Sequence, residues 1–176
     1  MAAALNAFMQ IGEAEGESKQ APYDKPKPWI ELQSWDWEVE AETSWTKGGG
    51  AAVGKPSPGK MNWEHVFDRS SNTILAYICT GKSFPEVILQ MCKSTGQGKG
   101  RQPFFTVTMN EVFMTKVTQA ATEEGNVTQK VEMVFKKIQI DYSQQGVSAS
   151  SPGTLSNAGT FKWDIPSGDA SPSDGG

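Results

Sequence analysis

Residues 29–40, Trp-Ile-Glu-Leu-Gln-Ser-Trp-Asp-Trp-Glu-Val-Glu, alternate apolar and polar side chains and then change phase within the run. Ile30 and Leu32 are the apolar positions at first; Trp35, Trp37 and Val39 take over afterwards. Side chains on a strand alternate between faces with period two, so one face of this strand needs a core. The other face, carrying Ser34, Asp36, Glu38 and Glu40, needs water. A single change of phase near Gln33–Ser34 is what a β-bulge produces, and a bulge bends a strand where a barrel must curve. The chain therefore requires a curved sheet with a dry inside and an acidic outside.

The rest of the chain extends this pattern. Met61, Trp63, His65 and Phe67 share one strand face. Residues 127–142 repeat the phase change, with Val131, Met133 and Phe135 followed by Ile138, Ile140 and Tyr142, which predicts a second bulge near Lys136–Lys137. Short strands are further expected at 7–11, 86–93 and 161–165, and residues 104–119 should form two strands or one bent strand. Ser70-Ser71-Asn72 offers caps for a short helix with Ile74, Leu75 and Ile78 inward and Gly81 as its stop. The expected fold is mainly β: about eight short strands in an antiparallel barrel or sandwich, covered at one end by one short α-helix. Trp35, Trp37, Trp63, Phe67, Ile74, Ile78, Phe135 and Ile140 are the expected core anchors.

Domain organisation follows from the punctuation. Residues 1–165 suit one domain. Within it, 94–102 is a glycine-rich hairpin connection, and 146–159 a Ser/Gly/Pro linker. Residues 41–60 hold a triple glycine with Gly54, Pro56, Pro58 and Gly59. They read as an extended loop without regular structure, which in a compact domain usually serves binding or assembly. Trp45 and Val53 are unusual residues to leave in water there. Residues 166–176 read as a disordered tail.

Composition excludes several function classes. The net charge of −4, with no basic cluster, argues against nucleic acid as a partner. Apolar runs are too short to enter a membrane as a spanning helix, and the N-terminus lacks a secretory signal. Cys79 and Cys92 read as buried free thiols.

Motifs with a chemical reading are outweighed by structural ones. Gly81-Lys82-Ser83 would need glycine at Ala76 and a helix after it to hold phosphate. Gly96, Gly98 and Gly100 lie between strands rather than before a helix. His65, the only histidine, has too few companions for a metal site or a nucleophile pair and reads as a satisfied core residue. Asn126-Val127-Thr128 reads as a turn rather than a glycosylation acceptor. Asp36, Glu38 and Glu40, two apart on one face, form a solvated surface rather than a hydrolytic pair. The tryptophans sit in core register, leaving only Trp45 as an exposed sugar platform. No catalytic residue, metal site or cofactor is expected.

Taken together, several pieces resemble the haemolysin-coregulated protein family, the inner-tube subunit of type VI secretion. They are Phe8-Met-x-Ile11, Glu15-Gly-Glu-Ser18, Ile30-Glu-Leu-x-Ser-Trp-x-Trp37, Phe67-Asp-x-Ser-Ser71, Cys79-x-Gly-Lys82 and Phe161-x-Trp-Asp-Ile165, in family order. The resemblance implies a bulged antiparallel β-barrel with one short α-helix, assembled into homohexameric rings stacked head-to-tail into a tube, with a spike protein, a contractile sheath and effector proteins as partners. It implies that Ser34, Asp36 and Glu38 face the bore. It also makes the 41–60 loop, with Trp45, Thr46, Lys47 and Val53, a ring-assembly element. Such a protein is cytoplasmic before assembly and leaves the cell through its own secretion system. Two rival readings are a tail-tube subunit of a phage-like contractile particle and a monomeric β-barrel binding a carbohydrate or small ligand.

Overall fold

The structure, a computed structural model, describes residues 5–94, 100–146 and 154–173. Along these run β1 (Ala7–Ile11), β2 (Ile30–Asp36), β3 (Val39–Thr46), β4 (Gly50–Pro58), β5 (Met61–Val66) and α1 (Arg69–Thr80). Then follow β6 (Phe84–Ser94), β7 (Arg101–Ala121), β8 (Val127–Gln145), β9 (Leu155–Asp164) and β10 (Asp169–Ser173). Strands β8, β5, β2, β1, β6 and β7 are successive antiparallel neighbours, and β7 pairs back onto β8. This closes a six-stranded barrel, the architecture that the family resemblance implies. β8 is long enough to serve two neighbours on one side: Thr128–Met133 pairs with β5, and Lys137–Gln145 pairs with β9.

The core fills the barrel with alternate side chains. Ile30, Leu32, Met61, Trp63, Val107, Met109, Val131 and Met133 are all buried. The register of β2 on β5 slips between Leu32 and Ser34, where the change of phase requires it. Trp35 then turns inward and stacks on Phe105 with ring centroids 5.7 Å apart, while Trp37 meets Phe135 at 5.8 Å. Both indoles are half-buried against the core rather than enclosed by it. Phe67, Ile78 and Ile140 are likewise half-buried, whereas Trp63, Ile74 and Phe135 are fully so. Val39 is exposed, because the chain leaves the barrel after Asp36.

The second phase change is present but is not a one-sided bulge. Phe135 and Ile138 are both buried, yet β7 and β8 keep one register from Asn110↔Lys137 to Val112↔Phe135. The adjustment is shared. Glu111 adopts φ +50° opposite Lys136, and their side chains form an ion pair. Lys136 is also where β8 exchanges β5 for β9, and its carbonyl accepts the N–H of Ile165 at 2.9 Å. Residues 104–119 belong to a single bent strand, β7, with a further slip between Met114 and Lys116.

Three expectations are corrected. Residues 41–60 are mostly regular, since β3 and β4 form a hairpin of their own. Gly48 and Gly50 take positive φ to build its turn. Pro56 and Pro58 fit because each strand of a two-stranded ribbon is bonded along one edge only. The 166–176 tail is not wholly disordered: β10 pairs with β9 through a turn at Gly168, as an edge strand that tolerates Pro172. β9 starts at Leu155, inside the expected linker, whose residues 147–153 lie outside the described residues. So do residues 95–99 of the glycine-rich connection between β6 and β7.

The helix begins two residues earlier than Ser70 suggests. Asp68 is its cap, accepting the Ser70 N–H at 2.9 Å, while its own N–H donates to the Ser71 hydroxyl at 3.0 Å. Gly81 ends the helix in the left-handed region, as expected. Ile74 is buried, and Tyr77 stacks on Phe84 at 3.9 Å.

Candidate functional site

Three surfaces are built on this frame. The first is the outer face of β2, β5, β8 and β7, where pairing aligns polar side chains in rows. Asp36, Asn62, Glu132 and Lys116 are successive partners, and so are Ser34, Glu64, Lys130 and Thr118. These rows line a shallow depression of 270 Å³. Asn62 donates to the Asp36 carboxylate at 3.0 Å, and Lys60 reaches Glu132 at 3.5 Å. Ser34, Asp36 and Glu38 are all exposed. Ser34 and Asp36 share this face, whereas Glu38 lies beyond the end of β2 at the root of the hairpin. The acidic surface read from β2 alone is in fact mixed in charge, because Lys116 and Lys130 stand across from the carboxylates. Those lysines come from strands distant in sequence, so only knowledge of the pairing could have found them.

The second surface is the hairpin. Two hydrogen bonds clasp its root to the barrel: the Trp37 indole N–H donates to the Gly59 carbonyl at 3.1 Å, and the Gly59 N–H donates to the Glu38 carbonyl at 2.8 Å. Above the root, Val39, Ala41, Thr43 and Trp45 pair with Pro58, Pro56, Val53 and Ala51. Directly paired residues share a face, so one side of the ribbon is apolar apart from Thr43. That side is open: Trp45 is 81% exposed and Val53 69%. Trp45 and Val53 therefore stand together. Thr46 alternates to the opposite side, paired with Gly50, and Lys47 occupies the turn.

The third surface was missed in the sequence. At the opposite end of the β2–β5 pair, Leu5, Leu32, Val66 and Phe67 line a groove of 550 Å³ rimmed by Glu31 and Asp68. The Glu15-Gly-Glu-Ser18 segment forms its wall. Gly16 donates to the Pro28 carbonyl at 2.9 Å, Ser18 donates through its N–H to the Trp29 carbonyl at 3.0 Å, and the Ser18 hydroxyl donates to Glu31 at 2.9 Å.

Behind this groove His65 is fully buried, its Nε2 2.8 Å from the Gln129 side-chain oxygen. Burial holds its imidazole below the usual range against the opposing pulls of Gln129, Asp68 and Glu64. Elsewhere, Tyr23 stacks on Phe8 at 4.1 Å and its hydroxyl lies 2.7 Å from the Cys92 sulfur. Burial pushes both the phenol and the thiol up, keeping them protonated. Cys92 is the buried thiol expected; Cys79, on α1, is exposed instead.

Comparison with known proteins places this arrangement. The family described as type VI secretion system effector, Hcp, matches residues 8–142. Protein hcp1 of Pseudomonas aeruginosa is 26% identical over 151 residues, covering 85% of this chain and 90% of its own length. Among solved structures, one titled as a type six secretion system protein superposes with a TM-score of 0.81 at 19% identity, covering 96% of this chain and all of the other. Hcp1 from Salmonella typhimurium superposes with a TM-score of 0.73 at 24% identity, with the same coverage.

Proposed function

Because the chain belongs to the Hcp family of type VI secretion, we propose that it is the structural subunit of the secretion tube. Copies form hexameric rings that stack head-to-tail, with a spike at the tip, a sheath outside and effector proteins in the bore. The role is assembly and carriage rather than catalysis. Synthesis is cytoplasmic, and export is by the system the tube belongs to.

The observation that carries this reading is polarity along the β2–β5 pair. One end projects an open apolar ribbon tipped by Lys47; the other end holds a groove in which an apolar strip of Leu5, Leu32, Val66 and Phe67 lies among polar and acidic side chains, Glu17, Glu31 and Asp68 included. Knob and groove on opposite ends of one subunit are what a head-to-tail, heterologous contact requires. Trp45, Val53 and Lys47 are the hairpin's contact residues, and Thr46 faces away from that contact. A tryptophan anchor buried in such an interface contributes roughly 2–4 kcal/mol.

The test is a double substitution, Trp45→Asp with Val53→Asp. Circular dichroism and denaturation should be unchanged, because neither side chain touches the core. Ring stacking, followed by sedimentation and negative-stain microscopy, should weaken by roughly thirtyfold or more, the equivalent of about 2 kcal/mol. Tubes as stable as the wild type's would overturn the assembly role of the hairpin.

Ser34 and Asp36 line the bore in this proposal, together with Lys116 and Lys130, and Glu38 stands at its margin by the hairpin root. Alternating charges make such a lining only weakly selective for net cargo charge. Asp36→Lys tips the balance to positive and should reduce co-purification of a lysine-rich cargo several-fold at low salt. The effect should fade near 0.5 M salt, where the screening length is roughly 4 Å. Equal retention at low salt would argue against a bore-facing Asp36.

A further inference from the structure

The buried imidazole of His65 has one ring nitrogen satisfied and one not. Which nitrogen carries the proton follows from its neighbours. The Gln129 amide N–H points at the Ser71 carbonyl, 3.4 Å away, and a carbonyl can only accept. The other end of that amide, its oxygen, must therefore face His65, and an oxygen there can only accept from Nε2–H. A neutral ring with its proton on Nε2 has a bare lone pair on Nδ1. That atom is buried and has no hydrogen-bond partner among the described residues. The nearest charged group is the Asp68 carboxylate, 3.8 Å away: too far for a hydrogen bond, close enough for an ion pair once the ring is charged.

Asp68 already has a task, since the same oxygen accepts from Ser70 at the start of α1. Asp68 also lines the groove at this end of the barrel, beside Val66 and Phe67. From this geometry we infer that His65 is a proton-operated latch. When Nδ1 gains a proton it engages the Asp68 carboxylate, draws it from the first turn of α1 and reshapes the groove, so that acid loosens the seating of the next subunit. The inference rests on the stacking reading above for its consequence, though not for the latch itself.

The Val66 backbone also favours a protonated ring, but it carries no charge that could replace Asp68 in an ion pair. On β5 the charged neighbour is Glu64, in the outward-facing row. β2 presents Leu32 opposite His65, and β8 presents Gln129. β7 brings Gln119 opposite Gln129. On α1, Arg69 turns away toward Glu15 at 3.9 Å. Burial holds the ring neutral below its ordinary value of 6.5. The sign follows: below that pH the unfolded chain takes up a proton that the folded chain refuses, so stability falls as pH drops. The folded ring protonates only further down, and the latch operates there.

A single histidine makes the test direct. In magic-angle-spinning ¹⁵N spectra of histidine-labelled full-length protein, whatever its assembly state, His65 contributes the only imidazole signals. At pH 8 one nitrogen should be protonated, assigned to Nε2 by its coupling to both ring carbons' protons, and Nδ1 should be bare. The bare signal should persist below pH 6.5 and vanish at the pH where sedimentation shows stacks separating. Asp68→Asn keeps an oxygen to cap α1 and removes the charge; its stacks should separate without that pH step. His65→Gln should likewise lose the step. A proton on Nδ1 at pH 8, ordinary titration near 6.5, or an unchanged step in Asp68→Asn overturns the latch. If the wild type forms no stacks at neutral pH while the ¹⁵N spectra and the acid-dependent loss of stability are as stated, the stacking reading fails and the latch stands.

Discussion

Trp63→Ala is expected to remove about 3–5 kcal/mol of stability, a large share of the roughly 5–15 kcal/mol that a domain possesses. Trp63 is 2% exposed and occupies the middle of β5, paired with Trp35 on one side and Val131 on the other. Its ring lies 5.0 Å from that of His65, so the void would open beside the latch and the start of α1. Closed barrels relax poorly into such a space, because every wall strand is bonded to two neighbours. Urea denaturation of the soluble fraction measures the loss, and most of the protein should be insoluble at 37 °C. Trp63→Phe should cost much less than its lost volume suggests. The indole N–H has no hydrogen-bond partner among the described residues, and removing it relieves an unsatisfied donor. A Phe variant as unstable as the Ala variant would sink this account.

The second large effect is expected from one methyl group. A Cβ at Gly16 would lie 2.3 Å from the Trp29 carbonyl oxygen and 2.6 Å from the Ile30 nitrogen. Both are backbone atoms held by the sheet, and neither can step aside as a flexible side chain would. Gly16→Ala should therefore lift residues 15–18 off β2. The hydrogen bonds from Gly16 to Pro28 and from Ser18 to Trp29 would go with it, each worth about 1 kcal/mol. A loss of roughly 2–4 kcal/mol is expected, with faster proteolysis in the 12–28 segment. Gly49→Ala is the matched control: the nearest atom there is the Thr46 hydroxyl at 3.1 Å, on an exposed turn. Equal stability of the two variants would remove the steric explanation for the Glu-Gly-Glu-Ser segment.

How far the sequence discloses this molecule depends on which force decides each part. The bulge in β2 was legible because burial alternates residue by residue, and Ile30, Leu32, Trp35 and Trp37 record the change directly. The hairpin was not, because Gly48, Gly50, Pro56 and Pro58 satisfy local turn and edge geometry while masking an apolar face that appears only once Val39 is set opposite Pro58. The helix start was misjudged by two residues, since Asp68, Ser70 and Ser71 are all good caps and only the chain's exit from β5 selects among them. The same limit applies to the surface beside Asp36. Ser34 and Asp36 could be assigned to a solvent face from β2 alone, but the lysines that balance them enter through β7 and β8. The groove needed the meeting of three segments, around Leu5, Leu32 and Phe67, and no local pattern announces it.

Closing the barrel pairs most strand edges, and among the described strands the open margins include the outer side of β10, the rims of the ribbon, and β7 beyond its pairing with β6, from Phe113 to Ala121. Pro172 interrupts the first, and Pro56 and Pro58 the second. Backbone continuation from one copy to another is thus discouraged along β10 and along the β4 rim of the ribbon. For a subunit that crowds against its own copies, as the proposed tube requires, these prolines lower the risk of fibrillising along those two margins.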